Sequence, residues 1–302
     1  MDTRVAFSLF GLDVYWYGII LTTGMMLAVY IAALELNRRG YARAILWDGA
    51  ILILGMSILG GRLYHVFSEY NDGTPGFSYY RELFISAITL KDGLQASLGH
   101  LIEILNPRTG GLGVFGGITL GAVGCIIVAL RNKVRLGDMA DSIGMGLILG
   151  QCIGRWGNFA NQELYGPPTT LPWGMQIQEW ARTGIYRDLQ AYPIATTHFH
   201  PTFLYESLYM FIGFIVFLWV ERRFAKWLRP GDLFALYLIF YGIGRGALES
   251  TLRLDAWTYG GAIPTAVLFA LVFIGLGIAI LFLNHVWPRA KTKPQNPALQ
   301  GA

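Results

Sequence analysis

The sequence predicts an all-α polytopic membrane protein: seven transmembrane helices, the N-terminus outside, the C-terminus in the cytoplasm and a small irregular head on the outer face. Three observations carry this. Of the 302 residues, 54% are hydrophobic and only 14% are charged, against about 25% charged in an average soluble domain. Apolar runs of roughly 20 residues, the length a helix needs to cross a bilayer, recur along the whole chain. The basic residues between these runs fall in alternate connections, which sets the orientation.

The runs do not alternate apolar and polar residues, which excludes a transmembrane β-barrel. The spans fall at roughly 14–36, 45–67, 113–130, 139–160, 201–220, 232–250 and 262–284. Arg38, Arg39 and Arg43 follow the first, and Arg131, Lys133 and Arg135 follow the third. Arg222, Arg223, Lys226 and Arg229 follow the fifth, and Arg289, Lys291 and Lys293 the seventh. The remaining connections are longer and poorer in cations, so by the positive-inside rule they lie outside. The net charge of +4 is thus a topology signal, and nucleic acid is not an expected partner. The N-terminus has no basic n-region or small-residue cleavage site, so the first run reads as a retained span.

Residues 1–285 read as one membrane domain and 286–302 as a flexible cytoplasmic tail. Two outer loops are long, 68–112 and 161–200. The first opens with turn signals, "NDGTPG", and holds an amphipathic segment near 82–105 that fits a membrane surface. The second contains "GPPTTLPWG" and forms the head. Cys125 and Cys152 both sit inside apolar runs and read as buried free thiols, not a disulfide or metal framework. Asp138 and Asp232, at the cytoplasmic starts of spans four and six, read as helix N-caps. No internal repeat stands out.

Three basic residues, Arg62, Arg155 and Arg245, lie inside predicted spans. An ionised side chain in hydrocarbon is costly and marks a functional site by default, the ordinary alternative being a side chain that snorkels to the interface. Spans two, four and six each climb roughly 24–30 Å from the cytoplasmic flank to the arginine, at about 1.5 Å per residue. All three guanidinium groups are therefore expected in the outer third of the membrane. Glycine accompanies each, in "GGRLYH", "GRWGN" and "GIGRG", where it admits close approach of helices or ligand. A planar fork of N–H donors suits a phosphate. No lysine lies within a span, which argues against a retinal Schiff base. Tyr17, His200, Tyr205, Glu206, Tyr241 and Glu249 sit at the same level, and Glu249 is one helical turn past Arg245, in pairing position.

The stretch "GRWGNFANQELYG" carries Gly154, Arg155, Gly157, Asn158, Phe159, Asn161, Glu163 and Gly166. In that spacing it resembles the signature of the bacterial prolipoprotein diacylglyceryl transferases. "YWYG" at 15–18, "GGRLYHVF" at 60–67, "HPTFLYE" at 200–206 and "YGIGRGALE" at 241–249 resemble the same family's other span motifs. There are departures. Phe115 stands before Gly116 and Gly117, where many members carry histidine. Leu252 holds the position of a further arginine, and Arg253 follows it. The loop at 68–112 is longer than usual.

The resemblance implies transfer of the diacylglyceryl group of phosphatidylglycerol to the lipobox cysteine of a prolipoprotein signal peptide, with release of glycerol 1-phosphate. It implies an enzyme of the bacterial inner membrane, working toward the outer leaflet with no cofactor and no metal. Arg155 would bind the phosphatidylglycerol headgroup with Asn158, Asn161, Arg62 and Gly166. Arg245 would stabilise the leaving phosphate. Glu163 and Glu249 would orient the arginines or hold a proton, His200 being the other candidate base. Tyr17 and Tyr241 would line the donor site, with Arg253, Tyr205 and Glu206 as further candidates. The alternative is a transporter or channel for an anionic solute or lipid, although such a protein would spread its charges across the membrane rather than gather them at one depth.

Overall fold

In the computed structural model, residues 4–9, 11–68, 75–91, 93–106, 113–252, 254, 258–259 and 263–286 are described. Arg253, the tail from 287 onward and most of "NDGTPG" lie outside them. The chain divides into two compact units, Leu36–Met139 and the remainder, Met1–Glu35 with Ala140–Ala302.

In the first of these units, α2 (Ala44–Phe67) packs along α5 (Val114–Arg131). Lipid offers no hydrophobic drive between helices, so close packing of small residues must hold them. Gly60 meets the backbone of Gly116. A Cβ on Gly60 would stand 2.7 Å from that of Leu120, and one on Gly49 would stand 2.8 Å from Val128. The amphipathic segment is two helices, α3 (Phe77–Thr89) and α4 (Leu94–Leu105). The break is explained by Leu90 and Gly93, which both take positive φ, 51° and 87°. Neither helix is long enough to cross a ~30 Å core.

Arg62 is buried in this unit and braces the helical hairpin. Its Nε donates to the Ile104 carbonyl (2.9 Å), and its Nη2 to the Glu103 carbonyl (2.8 Å) and the Tyr80 hydroxyl (3.2 Å). The guanidinium also lies 5.1 Å over the Tyr80 ring. A cation on the last carbonyls of α4 satisfies orphan acceptors where the helix dipole is negative.

In the other unit, β1 (Val5–Leu9) and β2 (Leu12–Tyr15) form an antiparallel hairpin turned at Gly11 (φ 79°) and leading into α1 (Trp16–Arg38). With β3 (Thr258–Tyr259) and β4 (Ile263–Pro264) it adds two small ribbons to the expected all-helical frame. α6 (Leu136–Asn161), α7 (Thr202–Arg223), α8 (Asp232–Leu252) and α9 (Thr265–His285) complete the helices. Ile148 and Cys152 of α6, Met210 and Phe217 of α7, and Leu233 and Tyr237 of α8 share one core. Both cysteines are free, Cys152 buried and Cys125 half-buried.

The two expected N-caps are corrected. Asp138 lies in the first turn of α6, because that helix begins two residues earlier. Its carboxylate accepts from Arg135 Nε (2.7 Å) and the Tyr41 hydroxyl (3.1 Å). Asp232 is the first residue of α8 and turns to α9, accepting from Asn284 Nδ2 and His285 Nε2, both at 2.7 Å. The cap of α8 comes instead from Asp141 on α6, which accepts the N–H groups of Gly231 (2.9 Å) and Phe234 (2.8 Å). A carboxylate there complements the helix dipole and satisfies orphan donors.

The connection from α6 to α7 is a small irregular head, as the sequence implies. Tyr165, Ile177 and Phe199 form its core. A buried arginine, Arg182, anchors it: Nε donates to the Ile177 carbonyl (2.9 Å), Nη1 reaches the carbonyls of Tyr186 (3.4 Å) and Tyr192, and the guanidinium lies 5.3 Å over Phe199.

Each of the seven expected spans is one helix. Five of them, α1, α2, α5, α7 and α9, are long and apolar enough to cross a membrane. The other two, α6 and α8, carry more charge, Asp138, Asp141 and Arg155 on one and Asp232, Arg245 and Glu249 on the other.

Replacing Asp141 by alanine should destabilise the protein by about 1–3 kcal/mol, because two backbone donors, one buried and one part-buried, lose their acceptor. Asp141→Asn, which keeps one carbonyl oxygen, should cost less. Thermal unfolding in detergent measures both, and an unchanged melting temperature for Asp141→Ala would refute the capping role.

Candidate active site

Polar residues converge where α6, α7 and α8 meet. Arg155 and Asn158 lie one turn apart on α6, and Arg155 Nη1 donates to Asn158 Oδ1 (3.3 Å). The helix then ends abruptly. Gln162 and Leu164 both take positive φ, 50° and 57°, a strained choice for residues with a Cβ and one that clusters at functional sites. The turn folds the Glu163 carboxylate back onto the last helical turn, where it accepts from Asn158 Nδ2 (2.8 Å) and Asn161 Nδ2 (3.4 Å). Gln162 Oε1 accepts the Gln178 N–H (2.8 Å), tying this turn to the head.

The centre of the cluster is Glu206, on the first turns of α7. It is ion-paired to Arg155 Nη2 and, through its other oxygen, to Arg245 Nη1 (3.4 Å). Arg245 Nη2 in turn pairs with Glu249 (2.8 Å), one turn along α8. Two cations and two carboxylates thus alternate across three helices. The side chains of Glu206 and Glu249 are only 10% and 4% exposed. In such surroundings the attraction is weakly screened, and removing either inner member, Glu206 or Arg245, takes a counter-charge from both of its neighbours. Glu206 is held in place by the next residue, Ser207, which donates to the Cys152 carbonyl (2.9 Å) and accepts from Trp156 Nε1 (3.1 Å).

The glycines beside the arginines have identifiable neighbours. A Cβ on Gly157 would stand 2.9 Å from the Tyr17 ring, so this glycine lets Tyr17 lie against α6 near Arg155. A Cβ on Gly244 would overlap the Tyr209 ring. That ring stacks on Phe240 at 4.1 Å, and its hydroxyl donates to the Phe240 carbonyl (2.8 Å).

A cavity of about 330 Å³ opens between α7 and α8. Tyr205, Glu206, Tyr209 and Met210 line it from one helix, and Tyr241, Gly244, Arg245, Leu248 and Thr251 from the other. The spacing of three and four residues on α8 puts its contributors on one face. The cavity therefore has apolar walls, a guanidinium and phenol groups, as a site for an amphipathic phosphate-bearing molecule would.

Tyr205 connects this cavity to His200. Trp173 Nε1 of the head lies 2.9 Å from the Tyr205 hydroxyl, which lies 3.0 Å from His200 Nδ1. An indole N–H can only donate. The Tyr205 oxygen therefore accepts from Trp173 and makes a second hydrogen bond with His200 Nδ1, whose direction follows the imidazole tautomer.

Nearly all of the expected residues of this unit are brought together: Tyr17, Arg155, Asn158, Asn161, Glu163, Tyr205, Glu206, Tyr241, Arg245 and Glu249, with His200 joined through Tyr205. Gly166 is a packing position, where a Cβ would stand 2.9 Å from His200 Cβ and 3.0 Å from the Leu252 carbonyl. Arg62 belongs to the other unit with the partners given above, and Arg253 is outside the described residues. Trp173, Tyr209 and Ser207 were missed by the sequence reading. Trp173 has a signal, a lone tryptophan in the Pro- and Gly-rich "GPPTTLPWG", but nothing local tells that its partner is 32 residues away.

A sequence-family model described as prolipoprotein diacylglyceryl transferase matches residues 4–283. A protein of Chloroflexus aggregans named phosphatidylglycerol–prolipoprotein diacylglyceryl transferase is 35% identical over 309 residues, covering 97% of this chain and 93% of its own. A protein of the same name, numbered 2, from Streptomyces coelicolor is 35% identical over 95% of this chain and 80% of its own. One from Geobacillus kaustophilus is 32% identical over 97% and 96%.

Replacing Glu206 by alanine should leave Arg155 and Arg245 facing each other without their shared counter-charge. A loss of about 3–5 kcal/mol is expected, read as a lowered unfolding temperature in detergent, with Glu206→Asp intermediate. Wild-type stability for Glu206→Ala would show that the bridge carries no energy.

Proposed function

The chain belongs to the prolipoprotein diacylglyceryl transferase family, and from that premise we infer that it transfers the diacylglyceryl group of phosphatidylglycerol to the lipobox cysteine of a prolipoprotein, releasing glycerol 1-phosphate. The observation that carries this reading at the level of chemistry is the Arg155–Glu206–Arg245 bridge beside an apolar cavity. It supports a phosphate at the arginines with acyl chains along the walls. The comparisons give no support to the transporter alternative.

The seven helices are read as seven spans with the N-terminus outside, in the bacterial inner membrane. The arginine end of α6 and the head then face the outer leaflet, where donor lipid and translocated cysteine meet. The more polar α6 and α8 span because their charges are paired within the protein, Asp141 on backbone N–H groups and Arg155, Arg245 and Glu249 in the bridge.

In the reaction the cysteine sulfur attacks the glycerol carbon that bears the phosphate. A C–S bond forms, the C–O bond breaks, and the electron pair leaves on glycerol 1-phosphate. Thiolate is the reactive form of cysteine. Arg155 holds the headgroup with Asn158 and Asn161. Arg245 stabilises the charge that develops on the leaving phosphate, where preorganised donors contribute most. Each guanidinium has five N–H donors, so it can keep its carboxylate and still meet a phosphate. Glu206 and Glu249 set the forks, Glu163 sets the amides, and Tyr17 and Tyr241 border the donor. With the imidazole proton on Nε2, the thiol proton passes to the Tyr205 oxygen as Tyr205 gives its own to His200 Nδ1. This route does not need a histidine at position 115.

Two outcomes follow. Purified protein, phosphatidylglycerol and a lipobox peptide should give a peptide heavier by one diacylglyceryl group. Arg155→Ala and Arg245→Ala should each slow this by about 10²–10³-fold, and a rate that does not change would sink the phosphate assignment. Tyr205→Phe and His200→Gln should lower kcat by about 10²–10⁴-fold, the range of general acid–base catalysis, with KM for the lipid nearly unchanged. A change confined to KM would instead make both residues binding groups.

A further inference from the structure

The end of α7 remote from Glu206 carries a second combination of apolar surface and arginine. α7 runs from Thr202 to Arg223, which places Arg222 and Arg223 about 25 Å along the helix from Glu206 at about 1.5 Å per residue. The larger groove there, about 780 Å³, lies between the last turn of α7, the following turn and the facing parts of α8 and α9. Val220, Phe224, Trp227, Leu228, Leu236 and Leu281 form its walls, and Arg223 stands at its rim. A second groove, about 510 Å³, is lined by Ile215, Leu218 and Trp219 with Arg222 and Arg223. Arg223 is common to both.

The charge at this junction is one-sided. The segment from Glu221 to Arg229, "ERRFAKWLR", holds four cations against one carboxylate. Asp232, which also borders the larger groove, is engaged by Asn284, His285 and the Arg229 N–H. Trp219 and Trp227 are 58% and 79% exposed, as amphipathic rings at a membrane–water boundary are. The Arg223 guanidinium lies 5.6 Å over the Phe224 ring, which holds it at the groove mouth.

Two apolar grooves that share Arg223, with Arg222 beside it on the smaller one, match the outline of a diacyl lipid, which has two chains and one phosphate. We propose that this junction binds one anionic diacyl phospholipid, its phosphate on Arg222 and Arg223 and one acyl chain in each groove. The site is separate from the cavity that holds Arg245, and a lipid seated in it ties the last turn of α7 to α8 and α9.

Native mass spectrometry of delipidated full-length protein, titrated with phosphatidylserine or phosphatidylcholine, tests this. Phosphatidylserine should bind more tightly than phosphatidylcholine. The Arg222→Gln/Arg223→Gln variant should weaken one phosphatidylserine site by about 30-fold, from the contribution of two basic groups at a membrane surface. Leu281→Trp, which fills the larger groove and keeps both arginines, should weaken the same site. Lipid-free melting temperatures close to wild type would establish that both variants fold. Phosphatidylserine binding unchanged in the arginine variant, or phosphatidylcholine bound as tightly as phosphatidylserine, would overturn the proposal.

Discussion

One carboxylate, Glu206, organises the polar end of the α6–α7–α8 unit. It faces two guanidinium groups from different helices in a site from which most water is excluded. Without it Arg155 and Arg245 would repel each other across a medium that screens poorly. With it they stand side by side, and Glu249 extends the alternation. The tie from Ser207 to the Cys152 carbonyl, the glycine that admits Tyr209 and the sharp turn at Gln162 and Leu164 all act on the geometry of this pair.

Catalysis of a phosphate departure needs positive charge that is already in place when the bond breaks. Arginines left to solvate themselves would first have to reorganise. In the proposed reaction the carboxylates would stand in for substrate charge, so that the forks are set before a phosphate arrives. The same device makes a buried arginine tolerable, since it is costly when bare and much less so when paired. The brace formed by Arg62 and the head anchored on Arg182 repeat the principle with backbone carbonyls in place of carboxylates. A buried guanidinium in this chain is a connector first, and chemistry is added only where a cavity adjoins it.

Much of the architecture is legible without coordinates. All seven expected spans correspond to single helices whose ends differ from expectation by a few residues, because an apolar run bounded by cations has few alternatives. The pairing of Arg245 with Glu249 follows from one helical turn of spacing. Asp138 and Asp232 look like caps because both sit near helix starts, where a local rule points to the wrong acceptor. The N–H groups of α8 are satisfied by Asp141, which lies about 90 residues away, and such long-range pairing leaves no local trace. The amphipathic pattern at 82–105 continues through the turn at Leu90, so it does not show that the segment is two helices.

Residue type, period and charge placement in the sequence determine the helical membrane class, the polar signature at the end of α6 and, by resemblance, the family. Those are properties of short windows, in which hydrophobic period and fixed spacing speak directly. Tertiary structure decided what each arginine does. Arg155 and Arg245 share Glu206 beside a cavity, while Arg62 caps the carbonyls of α4, although all three look alike in sequence. The reason is that a guanidinium's role depends on which acceptors are within about 3 Å of it, and those acceptors are brought in by other helices.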